Sequence, residues 1–171
     1  MNTYMALQAV IVNGLHTLTH LLEKGESFAS EIGKEENTLL HAQIAPDMFN
    51  FIKQVQIATD DARRNLFLLA GKEHVKMEDN ETTFTELKVR VQKTLDLILT
   101  LTEEDFVGAD ERHISLFWMQ GKYVLGKDFL TEFAFTNFSF HLVTAYNVLR
   151  KEGVPLGKMD FLSKLSMKEN N

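Results

Sequence analysis

Only two prolines, Pro46 and Pro155, interrupt these 171 residues, and neither lies within an apolar-periodic segment. Proline removes a backbone donor and clashes with the preceding turn, so its absence leaves room for long helices. Apolar residues recur at three- and four-residue steps through four stretches, the spacing of one helix face.

The first helix is predicted over about residues 3–24, with Gly25 as its stop. Its inward stripe is Leu7, Val10 or Ile11, Gly14, Leu18 and Leu21, and Gly14 there predicts close approach of a neighbouring element. Residues 26–44 are mixed and polar, with short helical turns expected around Phe28 and Leu39-Leu40. Pro46 suits a first helical turn and Asp47 complements the helix dipole, which predicts a second helix over 46–70 that ends at Gly71. Met48, Phe51, Val55, Ala58, Ala62, Leu66 and Leu69 form its stripe.

Thr83 and Glu86 have capping-box spacing, which starts a third helix running to about 101 with Leu87, Val91, Leu95 and Ile98 inward. Both arms of 112–125 are rich in β-formers and meet at Gly121, predicting a small hairpin. A fourth helix is predicted over 127–151, ended by Gly153 and Pro155, with Leu130, Ala134, Phe138, Ala145 and Val148 inward. The expectation is an all-α four-helix bundle with a small β-hairpin before the last helix, a single domain over 1–162 and a weakly ordered tail over 163–171.

A formal charge of −6, with dispersed basic residues, argues against nucleic acid or an anionic membrane as partner. Cysteine is absent, which removes disulfides, thiol nucleophiles and thiolate metal sites. The N-terminus lacks a basic signal region, and Gln8, Asn13 and His16 break the first apolar run, so no bilayer span is expected there. A cytoplasmic location follows as the expectation.

The chemistry-bearing candidates centre on the last helix. Asn137, His141 and Thr144 share one face, framed by core positions, and polar groups so placed must find partners or form a site. From the second helix, Gln56 and Asp60 lie on one flank and Gln54 on the other. His16 and His20 have i,i+4 spacing able to bind zinc or nickel, but read better as a solvated pair. His41 and His74 fall in polar connections and His113 at the hairpin rim, all three expected to be exposed. No Glu-x-x-His, phosphate loop, His-Glu-x-x-His or Gly-x-Ser-x-Gly occurs.

Pro46-Asp47-Met48-Phe49, Gln54-Val55-Gln56-Ile57-Ala58 with Asp60, residues 78–87, Asn137-Phe138, Phe140-His141, Thr144-Ala145-Tyr146 and residues 153–158 together resemble an uncharacterised domain-of-unknown-function family related to the DinB/YfiT-like metalloenzymes. The resemblance implies an up-down-down-up DinB/YfiT-like bundle, often a homodimer, and one divalent metal (Zn or Ni) held by a helix-two histidine and a His-x-x-x-His pair on helix four. Here that pair reads Asn137-x-x-x-His141, and helix two has no histidine, so Gln54, Gln56 or Asp60 would substitute.

Three functions follow. In the first, a DinB-like transferase or hydrolase acts on a small molecule through His141 and Asn137, with a degenerate metal site. In the second, a non-enzymatic bundle binds a small ligand or dimerises through Trp118, Phe133, Phe135, Phe138 and Phe140. In the third, His141 is a hydrogen-bonded hub that fixes helix register.

Overall fold

The computed structural model describes residues 2–162 and 167–169. Its helices are α1 (Thr3–Glu31), α2 (Glu36–Leu40), α3 (Phe51–Leu69), α4 (Phe84–Ile98), α5 (Gly126–Phe129), α6 (Phe135–Lys151) and α7 (Lys158–Phe161). The long ones, α1, α3, α4 and α6, make the bundle. α1 packs on α4 and α6, and α3 packs on the same two helices, so the cyclic order is α1–α4–α3–α6.

Individual contacts fix the directions. Gln8, near the start of α1, donates to the Ile98 carbonyl at the end of α4, 2.6 Å away, so these two run antiparallel. Phe51 and Phe84, the first residues of α3 and α4, have ring centroids 6.0 Å apart, so these are parallel. Gln54 meets His141 and Asp61 meets Asn137, which makes α3 and α6 antiparallel. The topology is therefore up-down-down-up.

The apolar stripes read from the sequence form the core, with Ile11 rather than the exposed Val10 on α1 and with Met48 only partly buried before α3. Two helix boundaries differ from expectation. Gly25 does not stop α1. It is buried in mid-helix, where a Cβ would stand 2.9 Å from the Phe84 ring, and the chain turns only at Gly33, with φ of 63°. Pro46 does not open α3; Asn50 does, its side chain accepting from the Lys53 amide at 3.0 Å. The Thr83–Glu86 capping box forms as its spacing requires, and Gly71 and Gly153 close their helices with positive φ.

The hairpin is shorter than its β-rich arms suggest. His113 pairs with Leu125 and Ile114 with Val124, while Phe117–Met119 coils into a 3₁₀ turn. Arg112 ties this segment to the end of α3 by donating to the Leu69 carbonyl. Gly126 lets α5 begin against it, since a Cβ there would collide with the Ala109 carbonyl oxygen. A π turn, Leu130–Ala134, then joins α5 to α6.

By length and composition α1 meets the test for a bilayer span, with mean hydropathy 1.2 over its most apolar window, so the polar breaks do not exclude one. Half of that window is buried in the bundle, as in a core helix. Residues 167–169 carry no regular structure; the rest of the expected tail lies outside the described residues.

Candidate functional site

The α3–α6 seam carries two polar pairs, two helical turns apart on α3. In the first, the His141 Nδ1 lies 2.7 Å from Gln54 Oε1, while Gln54 Nε2 donates to the Phe49 carbonyl at 3.0 Å. With its amide nitrogen committed, Gln54 offers an acceptor, so the proton sits on His141 Nδ1. His141 Nε2 has no protein partner among the described residues. Burial pushes the imidazole pKa down to about 4, so the ring is neutral at ordinary pH.

In the second pair, the Asn137 Nδ2 donates to one oxygen of Asp61, and Arg64 binds the other. Asp61 is almost wholly buried, and desolvation pushes its pKa up to about 6, against the opposing pull of Arg64 and the Asn137 hydrogen bond. This carboxyl lines a cavity of about 560 Å³ between α3, the start of α6 and the hairpin. Arg64, His74, Asn137 and Asp60 share its polar wall, and Trp118 and Phe133 its aromatic one. The two rings stand 6.0 Å apart between centroids, Phe133 projecting from the π turn. π turns within helices are frequent at functional sites.

The opposite flank of α3 is occupied differently. Arg90, 1 % exposed at its side chain, bonds Asp60 at 2.8 Å, Asp79 at 3.0 Å and Glu81 at 3.0 Å. It also donates to Thr59 Oγ1 at 2.7 Å and to the Glu78 carbonyl, pinning the 72–82 connection onto α3 and α4. Gln56 donates to Glu81 at 2.9 Å and Asp60 binds Arg63 as well as Arg90. The structure thus brings Gln54 to His141 and Asp61 to Asn137, but directs Gln56 and Asp60 into the arginine network facing α4.

That division decides how well a divalent ion fits. The donors at this seam and the adjoining cavity wall are the His141 and His74 imidazoles, two amides, and the Asp60 and Asp61 carboxyls, both already held by arginines. Zinc and nickel sites are built from several imidazoles, thiolates or free carboxylates. Among the described residues no group of three such side chains converges. The residues present do not fit the ion that the resemblance implies.

The other histidines have separate roles. His20 bonds Asp160 at 2.9 Å and so anchors α7 to α1, rather than pairing with His16. His41 lies 3.3 Å from the Asn50 amide, and His113 stacks on Tyr123 with centroids 3.7 Å apart. His74 is not the free surface residue expected: its Nδ1 is sealed, and burial with the nearby Arg63 and Arg64 charges lowers its pKa. Asp61 and Arg64 are functional candidates that sequence reasoning passed over, and His74 one that it read as exposed. The signal was present for Asp61, which lies seven residues after Gln54 and so returns to the same helix face.

The sequence profile described as Domain of unknown function (DUF1993) matches residues 3–162. A crystal structure of a DinB family member protein from Shewanella denitrificans is similar with a TM-score of 0.93 and 36% identity, covering 98% of this chain and 95% of that one. No curated protein matches. With profile and structural likeness both spanning nearly the whole bundle, the chain belongs to the DUF1993 family and has the DinB fold.

Proposed function

We propose that this chain binds a small organic molecule in the cavity between α3, α6 and the hairpin, without a metal. One observation carries the reading. A buried carboxyl, Asp61, clamped by Arg64 and Asn137, borders a space whose far wall is aromatic. Ligand seats are concave, mainly apolar, and carry a few fixed polar groups of this kind. The test is ligand-observed and protein-observed NMR with a fragment library. Fragments that bind should shift the Trp118 indole and Asn137 amide resonances together. A library that shifts neither, or only resonances elsewhere, overturns the reading.

A second reading is favoured by the pKa of Asp61 near 6, which suits a group that gives up and takes back a proton at neutral pH. Asp61 would then be the acid–base group of a transfer or hydrolysis reaction on the bound molecule, a role His141 fills poorly because its basicity is so reduced. Carbon-13 NMR of the Asp61 carboxyl should give a midpoint near 6; an ordinary midpoint near 4 excludes this role.

A further inference from the structure

Two helices of the bundle are free of formal charge over most of their length. Residues 3–22 of α1 and 133–149 through α6 include no Asp, Glu, Lys or Arg, in a chain of which 25% is charged. α4, by contrast, exposes Glu86, Lys93 and Asp96. Burial in the core accounts for one side of α1 and α6 but not for the other. On α1, Ala9, Val10 and Asn13 are exposed, and on α6 so are Phe135 and Val143, at 43 % and 42 %. Exposed helix faces ordinarily carry charge, and its depletion marks the centre of a protein–protein interface.

α1 and α6 pack side by side and run parallel, so these residues share one outer surface. A groove of about 370 Å³ runs between them, lined among others by Val10, Asn13, Phe135, Ser139 and Val143. Gly14 lowers its floor. A Cβ there would stand 2.6 Å from the Phe138 ring, so only glycine lets the helices close up beneath the groove.

We propose that a second copy of this chain covers this face, the α1–α6 surface of one molecule lying against that of the other in an isologous dimer. Charge selects this occupant. Each copy carries −6, so two copies approach at least cost through a surface bearing none of that charge. A bilayer is the rival occupant, since α1 has the length and hydropathy of a span. The face, however, has no lysine or arginine to meet anionic headgroups, and Asn13, Thr17 and Ser139 interrupt it. Size agrees as well. At 1.5 Å of rise per residue the uncharged strip is about 25 Å long, and two helices side by side span about 20 Å. That footprint of about 500 Å² is of the order of the roughly 800 Å² per partner that a stable dimer buries.

The interface differs from the aromatic one expected from the sequence. Phe135 lies on this face and Phe138 beneath it, while Trp118 and Phe133 line the separate cavity beside α3. The proposal is therefore independent of the cavity reading.

Sedimentation velocity of the full chain over a concentration series tests it. The wild type should be dimeric at the higher concentrations, and Val10→Glu and Val143→Glu, each at a partly exposed helical position, should each raise the dissociation constant at least tenfold. Far-UV circular dichroism equal to wild type separates this loss from unfolding. Mixing the double glutamate variant with the double lysine variant, Val10→Lys with Val143→Lys, should restore a dimer, because an acidic face then meets a basic one. A wild type that stays monomeric throughout overturns the proposal, and its binding to phosphatidylcholine–phosphatidylglycerol vesicles would assign the face to a membrane instead. A dimer that neither glutamate disturbs, or variants that stay apart when mixed, overturns it too.

Discussion

The two flanks of α3 bury comparable amounts of polar chemistry and use it in opposite ways. Toward α4, Arg90 gathers Asp60, Asp79 and Glu81, and Gln56 adds a further bond to Glu81. The network there is dense and spans two helices and a connection. Toward α6 the polar groups come in isolated pairs, Gln54 with His141 and Asp61 with Asn137, beside a cavity. A dense network holds structure together; a seam of separate pairs beside an open space is where a ligand can be received. The difference teaches that polar burial alone does not mark a site. Polar burial beside a cavity does.

The largest effect should come from breaking the densely bonded flank. Arg90→Ala removes the one cation shared by three carboxylates and leaves them mutually repelling. A loss of about 3–5 kcal/mol is expected, the scale for removing one partner of a buried ion pair. Urea denaturation at pH 7 measures it, and a loss below about 1 kcal/mol would erase the contrast between the flanks.

On the α6 flank, the two buried titrating groups pull stability in opposite directions with pH. The pKa of His141 falls from 6.5 to about 4 on folding, so between those values the unfolded chain holds more protons. Its contribution is complete above pH 6.5 and is lost as pH falls toward 4. The pKa of Asp61 rises from 3.8 to about 6, so its contribution is complete below pH 3.8 and is lost as pH rises through 6. Each swing is on the order of 3 kcal/mol. His74, lowered as well, adds to the histidine side. Relative to wild type between pH 4 and 6, Asp61→Asn should lose stability more steeply on acidification, and His141→Leu should lose less or gain. Variant profiles parallel to wild type would show that neither group titrates as its burial requires.

A smaller effect tests the His141 pair alone. His141→Ala at pH 8, where the ring is neutral, leaves the Gln54 oxygen unpaired and should cost about 1–3 kcal/mol. Replacing both partners by leucine should recover part of that, since two apolar groups need no hydrogen bond, while the Phe49 carbonyl loses the Gln54 donor. Thermal or urea melts that place the double variant below the single one would contradict this account.

Much of the bundle was legible because helix periodicity is local. Leu87, Val91, Leu95 and Ile98 needed only their spacing to be placed inward, and Thr83 with Glu86 only theirs to cap α4. Gly25 was misread because its role depends on Phe84, far away in sequence, filling the space a side chain would take. The site was half legible for the same reason. His141 and Asn137 could be placed together on one face of α6, and Gln54 on the flank of α3 opposite Gln56 and Asp60, but not which flank meets them. Gln56 and Asp60 could not be assigned without knowing that Arg90 arrives from α4 to claim the flank they share. Asp60 reaches both that network and the cavity wall, and one residue further along, a rotation of about 100° turns Asp61 toward Asn137.

The smallest prediction tests whether the arginine network owes its strength to burial or merely to charge. Lys53 reaches the same Asp79 that Arg90 binds, with Nζ 2.5 Å from the carboxylate, but its side chain is 36 % exposed and that of Asp79 35 %. Water and salt screen such a pair, and holding a long side chain in place offsets part of the attraction, so exposed pairs contribute less than about 1 kcal/mol. Lys53→Ala should therefore cost no more than about 0.5 kcal/mol at moderate salt, and nothing measurable at 1 M salt. Arg90→Ala should keep most of its cost at high salt, because the guanidinium itself is 1 % exposed and meets Glu81 and Thr59 out of solvent. If the two substitutions instead weakened the fold equally and faded equally with salt, the flank toward α4 would be a surface ion cluster. Its contrast with the open seam toward α6 would then rest on charge density alone.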